Sequence, residues 1–144
     1  MSEHVKPEYA MSELTSRIIG CCIEVHRTLG PGFEEGFYQR ALLRELDAAG
    51  LEAAREVDVE VTYKGLVLGK KRVDCVVGEC MLEIKARAAL EAVDRVQALS
   101  YLKASGFAVG LLVNFGGSKI EVVRLANTRG PGDEARRVAE SLKR

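Results

Sequence analysis

Helical periodicity, strand alternation, a further helix and a last pair of strands follow one another along the chain. That order predicts an α/β fold, a mixed central β-sheet flanked by α-helices. Two observations carry the prediction. Three consecutive alternating segments joined by short Gly-containing turns mark an antiparallel meander. The helical segment after them, residues 90–104, leads into a buried-looking strand at 108–114, and such a connection is long enough to return the chain in a parallel, right-handed sense.

The elements can be justified in order. A first helix is expected over residues 12–28: Ser12 offers an N-cap, Leu14, Ile18, Cys22 and Val25 recur at helical spacing, and Gly30-Pro31 stops it. His26 falls in its last turn, where the helix C-terminal dipole favours it. After Gly30-Pro31-Gly32 a second helix is expected over 34–49, acidic at its start and stopped by Gly50. Strands follow at 57–63, 66–77 and 80–86, the first two joined at Lys64-Gly65. The third helix, 90–104, should turn Val96 and Leu99 toward the sheet. The strand 108–114, a Gly116-Gly117-Ser118 turn and a short strand at 120–124 come next. A loop at 128–132 and a surface helix at 133–144 end the chain.

With 144 residues the chain has the length of one domain, taken as 1–144 with a core at about 12–125 and a tail from 126. A hydrophobic fraction of 47% beside 29% charged residues excludes a disordered or low-complexity protein. Twenty-one basic side chains balance 21 acidic ones, so the long-range attraction of a strongly basic nucleic-acid binder is missing and any such contact must be local. Charge is uneven, with net −6 over residues 1–60, +3 over 61–90 and +3 over 91–144. No run approaches the roughly 20 apolar residues a bilayer requires, and the first residues lack the apolar core of a signal peptide. A cytoplasmic protein with no membrane partner is expected. Its cysteines would then be reduced. Cys21 and Cys22 are adjacent and Cys75 and Cys80 are separated by four residues, spacings that match no common zinc or redox site, so buried apolar thiols are expected.

The chemistry-bearing stretch runs from Arg72 to Lys85. A two-residue turn at Gly78-Glu79, of the type II′ kind that Gly at its first central position allows, sets Val77 against Cys80 and Asp74 against Glu83. Alternation then assigns Val73, Cys75, Val77, Cys80, Leu82 and Ile84 to one apolar face. Arg72, Asp74, Val76, Met81, Glu83 and Lys85 take the other. Like charges directly opposed across a ladder are destabilising, and a divalent cation would compensate, since Mg²⁺ is usually held by one or two carboxylates with waters and substrate phosphates. Lys85 would be placed to activate a water or to stabilise charge on a phosphoryl group. The competing reading is a solvated face with Arg72 paired to Asp74 and Lys85 to Glu83. On the third helix Gln97 and Tyr101, spaced i and i+4, share one face.

These residues resemble a known arrangement. Asp74 followed by Glu83-Ile84-Lys85 resembles the D…(D/E)XK signature of the PD-(D/E)XK nuclease superfamily. Gln97-Ala-Leu-Ser-Tyr101 is similar to the QxxxY motif of its RecB-like branch. Gly32-Phe-Glu-Glu35-Gly-Phe-Tyr38 reads GxxExxY, the motif that names a family of small bacterial and archaeal proteins, and the likeness continues through 29–32, 101–103 and 111–116. The resemblance implies a restriction-endonuclease-like core and a Mg²⁺- or Mn²⁺-dependent nuclease acting on DNA or RNA. It further implies Asp74, Glu83 and Glu35 as metal ligands and Lys85 as the catalytic lysine, with Gln97, Tyr101 and Tyr38 lining the cleft. The superfamily's Pro is replaced here by Val73, and the iron–sulfur cysteines of some RecB-like proteins have no counterpart.

Two other readings compete with the nuclease. A non-catalytic nucleic-acid- or protein-binding module that keeps the fold is favoured by zero net charge and small size, which is also compatible with a homodimer. A nucleotide-binding enzyme is disfavoured, because Gly116-Gly117-Ser118 joins two strands and leads into no helix N-terminus. Lys64, Lys70, Lys71 and Arg72 are the candidate phosphate contacts, against a solvated charge run.

Overall fold

The computed structural model describes residues 11–127. The loop and helix expected at 128–132 and 133–144 lie outside the described residues.

Helix α1 spans Ser12–Leu29. Met11 precedes it in the left-handed region (φ 62°), so Ser12 is the first helical residue and makes no cap; its carbonyl accepts from Thr15 Oγ1 at 3.1 Å. Gly30, at φ 68°, ends the helix with its N–H donating to the His26 carbonyl. Helix α2, Glu35–Ala48, is one residue shorter at each end than expected.

Strand β1 (Ala54–Tyr63) starts three residues earlier than its apolar pattern does, because Ala54 and Arg55 still find partners in Val76 and Cys75 of β2 (Leu66–Val77). The turn between them has Lys64 and Gly65 both at positive φ, as a type I′ hairpin requires. Strand β3 (Cys80–Lys85) follows a turn in which Gly78 alone has positive φ, matching the type II′ expectation. Val77 pairs with Cys80, Val76 with Met81 and Cys75 with Leu82, the expected register. Helix α3 (Ala92–Ser105) opens with a capping box: Glu91 and Asp94 satisfy each other's backbone N–H groups. Strand β4 (Val109–Asn114) pairs parallel with β3, and β5 (Glu121–Ala126) antiparallel with β4. The five strands lie in the order β1-β2-β3-β4-β5, the mixed sheet flanked by helices that the sequence predicts.

Two apolar clusters hold the layers. On one face Ile18, Cys22 and Val25 of α1 and Tyr38, Leu42 and Leu46 of α2 meet Cys75, Val77, Leu82, Ile84 and Val113 of the sheet. On the other, Leu102 of α3 and Phe107 meet Val59, Val73, Val76 and Met81. Each fully buried side chain of this kind contributes about 1.5–3 kcal/mol.

Three packing expectations are corrected. Val73 joins the α3-side cluster while Cys75 and Val77 join the other, so alternation breaks at Asp74. The break lies across from Glu56, itself at φ 53°, and the register on either side is unchanged. Val76 and Met81 do not belong to a solvated face, since both are buried in the α3-side cluster. Val96 is 66% exposed, because the buried stripe of α3 runs through Asp94, Ala98, Leu102 and Ser105, nearly opposite Val96. The four cysteines are free and buried as expected; burial pushes Cys22 and Cys75 up to about 12, which leaves them protonated and inert. Among the described residues no helix is long and apolar enough to cross a membrane.

Candidate active site

Asp74 and Glu83 come together through the hairpin register, and hydrogen bonds interlock them. The Ile84 N–H donates to Asp74 Oδ2 at 2.8 Å, and the Asp74 N–H reaches Glu83 Oε1 at 3.4 Å. Glu83 is 5% exposed. Burial, then the negative charge of Asp74, pushes its carboxyl up to about 7. Burial likewise raises Asp74, partly opposed by the Ile84 N–H and by Lys71 and Lys85. The solvated pairing does not form: Arg72 turns to Asp58 (3.3 Å) and Glu56 (3.8 Å), and Glu83 is largely buried.

Glu35 stands in the first turn of α2, open to solvent. Packing around its carboxyl and then the charge of Asp74 raise its pKa, while Lys85, Arg87 and Lys71 oppose the rise. The three acids therefore share one electrostatic neighbourhood. Among the described residues, however, no three His, Cys, Asp or Glu side chains are gathered closely enough to hold one ion between them. The donor set that fits a divalent cation is the Asp74–Glu83 pair. Its oxygens are hard donors, and among the described residues Asp74 Oδ1 and Glu83 Oε2 accept no hydrogen bond. Burial raises both carboxyls and the charge of Asp74 raises Glu83 further, a charge that a cation would offset.

Lys85 ends β3, half-buried, and its positive charge lowers the pKa of Glu35, Asp74 and Glu83 alike. Lys71 does the same to all three, and its effect on Asp74 and Glu83 exceeds that of Lys85. Its ammonium lies 4.9 Å from the ring centre of the partly buried Tyr101, a cation–π contact that ties α3 to the acids. Gln97 is exposed on α3, and among the described residues no hydrogen bond joins it to the acids. Lys71 thus belongs to this neighbourhood, whereas its place in a basic run pointed only to phosphate contacts.

Tyr38 is corrected as a cleft-lining residue. Fully buried, it stacks on Phe115 with ring centres 4.9 Å apart. Its hydroxyl donates to the Gly30 carbonyl at 2.6 Å and accepts from the Phe33 N–H at 3.2 Å. These two bonds brace the Gly30-Pro31-Gly32 turn, and so fix where α2 begins and where Glu35 stands. Gly32, at φ 112°, supplies a conformation other residues rarely adopt.

A polar network absent from the sequence reading secures the segment after Lys85. Asn114, fully buried, accepts from the Arg87 and Gly116 N–H groups and donates to the Arg87 carbonyl and to Glu121 Oε1. Glu121 Oε1 also accepts from the Leu90 N–H. Arg87 pairs at 3.3 Å with Asp94, which is 2% exposed. The signal was an asparagine inside an apolar strand, since such a buried amide must find partners. His26 Nε2 donates to the Gly117 carbonyl at 2.9 Å, fastening α1 to the same turn.

Comparison with known proteins bears on this arrangement. The sequence model of the PD-(D/E)XK nuclease superfamily matches residues 12–125, most of the chain. The chain belongs to the PD-(D/E)XK nuclease superfamily. The mixed sheet flanked by helices is consistent with that superfamily's restriction-endonuclease-like fold. Among solved structures, the crystal structure of SSO0001 is similar in fold, with a TM-score of 0.50 and 23% identity, covering 94% of this chain and 67% of that one. No curated protein matches. PD-(D/E)XK nucleases generally use divalent metals such as Mg²⁺ or Mn²⁺.

Proposed function

We propose that the protein is a Mg²⁺- or Mn²⁺-dependent nuclease that hydrolyses phosphodiester bonds of DNA or RNA. The observation that carries this is the Asp74–Glu83 pair, Glu83 buried and Asp74 partly so, interlocked through the Ile84 and Asp74 N–H groups with Lys71 and Lys85 beside it. Asp74 and Glu83 would hold the cation, with Glu35 approaching from α2 as the third acid. The cation, when bound, supplies Lewis-acid polarisation of the phosphoryl group and of the attacking water. Lys85 orients that water and stabilises charge developing on phosphoryl oxygens, and Lys71, steadied by the Tyr101 ring, adds a second positive charge. Gln97 and Tyr101 on α3, with the GxxExxY motif at 32–38, support placement in the RecB-like branch and the GxxExxY family.

A cleavage assay on labelled single- and double-stranded DNA and RNA, with Mg²⁺, Mn²⁺ or EDTA, tests the reading. Cleavage should require metal and disappear in Glu83→Ala and Lys85→Ala. Retention of metal-dependent cleavage by either variant would reject the assignment. The second reading, a non-catalytic binding module, is favoured by the lack of a three-acid cluster among the described residues. It requires that Mn²⁺ produce no thermal stabilisation that Glu83→Ala removes.

A further inference from the structure

Helix α2 presents a surface that the hydrolytic reading leaves unused. Phe33 and Phe37 are 46% and 49% exposed with respect to the described residues, and their ring centres lie 5.8 Å apart. The Arg40 guanidinium sits 5.3 Å from the centre of the Phe37 ring. Phe37, Arg40 and Arg44 fall at i, i+3 and i+7 of α2, on one helix face, and both arginines are exposed. Phe33 meets the edge of Tyr38, Tyr38 stacks on Phe115, and the Phe115 N–H donates to the Lys85 carbonyl at 2.9 Å. Glu35 lies in sequence between the two rings.

Exposed aromatic rings cost free energy in water and are uncommon as neighbours on a monomer surface, so a paired set marks a contact site. The chemistry selects the occupant. Stacked rings accept the faces of unpaired bases, while guanidinium groups at helical spacing meet backbone phosphates; together they suit a single strand. A duplex hides its base faces within its own stack and offers the rings little. We propose that Phe33, Phe37, Arg40 and Arg44 form a track that binds single-stranded nucleic acid. The proposal rests on the nuclease reading and specifies its substrate as a strand with unpaired bases.

Binding can be measured apart from cleavage, by fluorescence anisotropy in EDTA with labelled single-stranded DNA and RNA oligonucleotides and a duplex of equal length. The protein should prefer the single strands. The Phe33→Ala/Phe37→Ala variant should weaken single-strand binding about tenfold or more, given the usual worth of a base–aromatic stack, and leave duplex binding unchanged. Arg40→Gln/Arg44→Gln should lower the slope of log K against log salt by about 1.4, the loss of two phosphate contacts on a single strand. All four side chains are solvent-facing, and thermal melts verify that both variants remain folded.

Single-strand binding that survives the phenylalanine substitutions, equal losses for strand and duplex, or a wild type that binds neither would each overturn the track. In the last case the face belongs to a protein partner. The two readings fail separately. Cleavage that requires Glu83 but is indifferent to Phe33 and Phe37 at subsaturating substrate removes the track and leaves the nuclease. Strand binding that depends on the phenylalanines, with no cleavage under any metal, removes the nuclease and leaves the track.

Discussion

Replacing Glu83 by Gln should stabilise the protein above neutral pH and flatten its pH dependence. In the fold, burial and the Asp74 charge move the Glu83 carboxyl from 4.5 to about 7. A carboxyl with a raised folded-state pKa binds more protons in the folded than in the unfolded chain between those two values. The contribution of Glu83 to stability is therefore fully present below about pH 4.5, falls as pH rises toward about 7, and is lost beyond. At 1.36 kcal/mol per tenfold change in proton affinity, the displacement corresponds to on the order of 3 kcal/mol. Asp74 is shifted in the same direction and deepens the slope. Glu83→Gln removes the ionisation but keeps an Oε1 that can accept from the Asp74 N–H. Urea unfolding in EDTA from about pH 5 to about pH 8.5 compares the two proteins, and their difference cancels groups common to both. The curves should nearly meet at the acid end and part by on the order of 3 kcal/mol at the alkaline end. Mn²⁺ should restore the wild type most where Glu83 is ionised, and the variant little. Parallel curves over the whole range would refute the argument that this carboxylate is held against its own repulsion.

Three other perturbations probe the supports of the site. Tyr38→Phe removes the hydroxyl that braces the turn before α2 and should cost about 1–3 kcal/mol in urea unfolding; a loss well under that range would show that the stacked ring alone holds the turn. Gly116→Ala drives a Cβ into the Arg87 backbone and should both destabilise the fold by about 1–3 kcal/mol and depress metal-dependent cleavage. An unchanged melting temperature would show that the segment after Lys85 yields freely. Tyr101→Phe should keep the Lys71 contact and most of the cleavage rate, whereas Tyr101→Leu forfeits about 0.5–1 kcal/mol of cation–π attraction and lowers the rate. Equal loss in both would assign the role to the hydroxyl instead of the ring.

What could be read from sequence was decided by local chemistry. The bounds of β2 follow from the turns at Lys64-Gly65 and Gly78-Glu79, whose positive φ values glycine tolerates, and once the second turn is fixed Asp74 must meet Glu83. What escaped depended on how separate elements pack. Tyr38 shares a helix face with Glu35 at i+3, yet one reaches solvent and the other Phe115, because the core closes over α2 between them. Lys71 could be placed beside the acids only once α3 had laid Tyr101 across β2. The Asn114 network joins positions 87, 90, 114 and 121, which no short-range pattern relates.

The break of alternation at Asp74 has a mechanical meaning. Val73 is moored in the cluster under α3 and Cys75 in the cluster under α1 and α2, so the main chain at Asp74 is gripped from opposite sides of the sheet. Two like charges on a loose hairpin would swing apart. Here the backbone beneath one of them is clamped between two cores, and the other extends from a strand buried at both of its neighbours, Leu82 and Ile84. Repulsion that cannot leave as movement persists as an affinity for positive charge, met by a proton in acid and, if the proposed nuclease function holds, by a cation near neutrality. The hydrophobic layers, which touch no substrate themselves, thereby set how strongly the acids attract an ion.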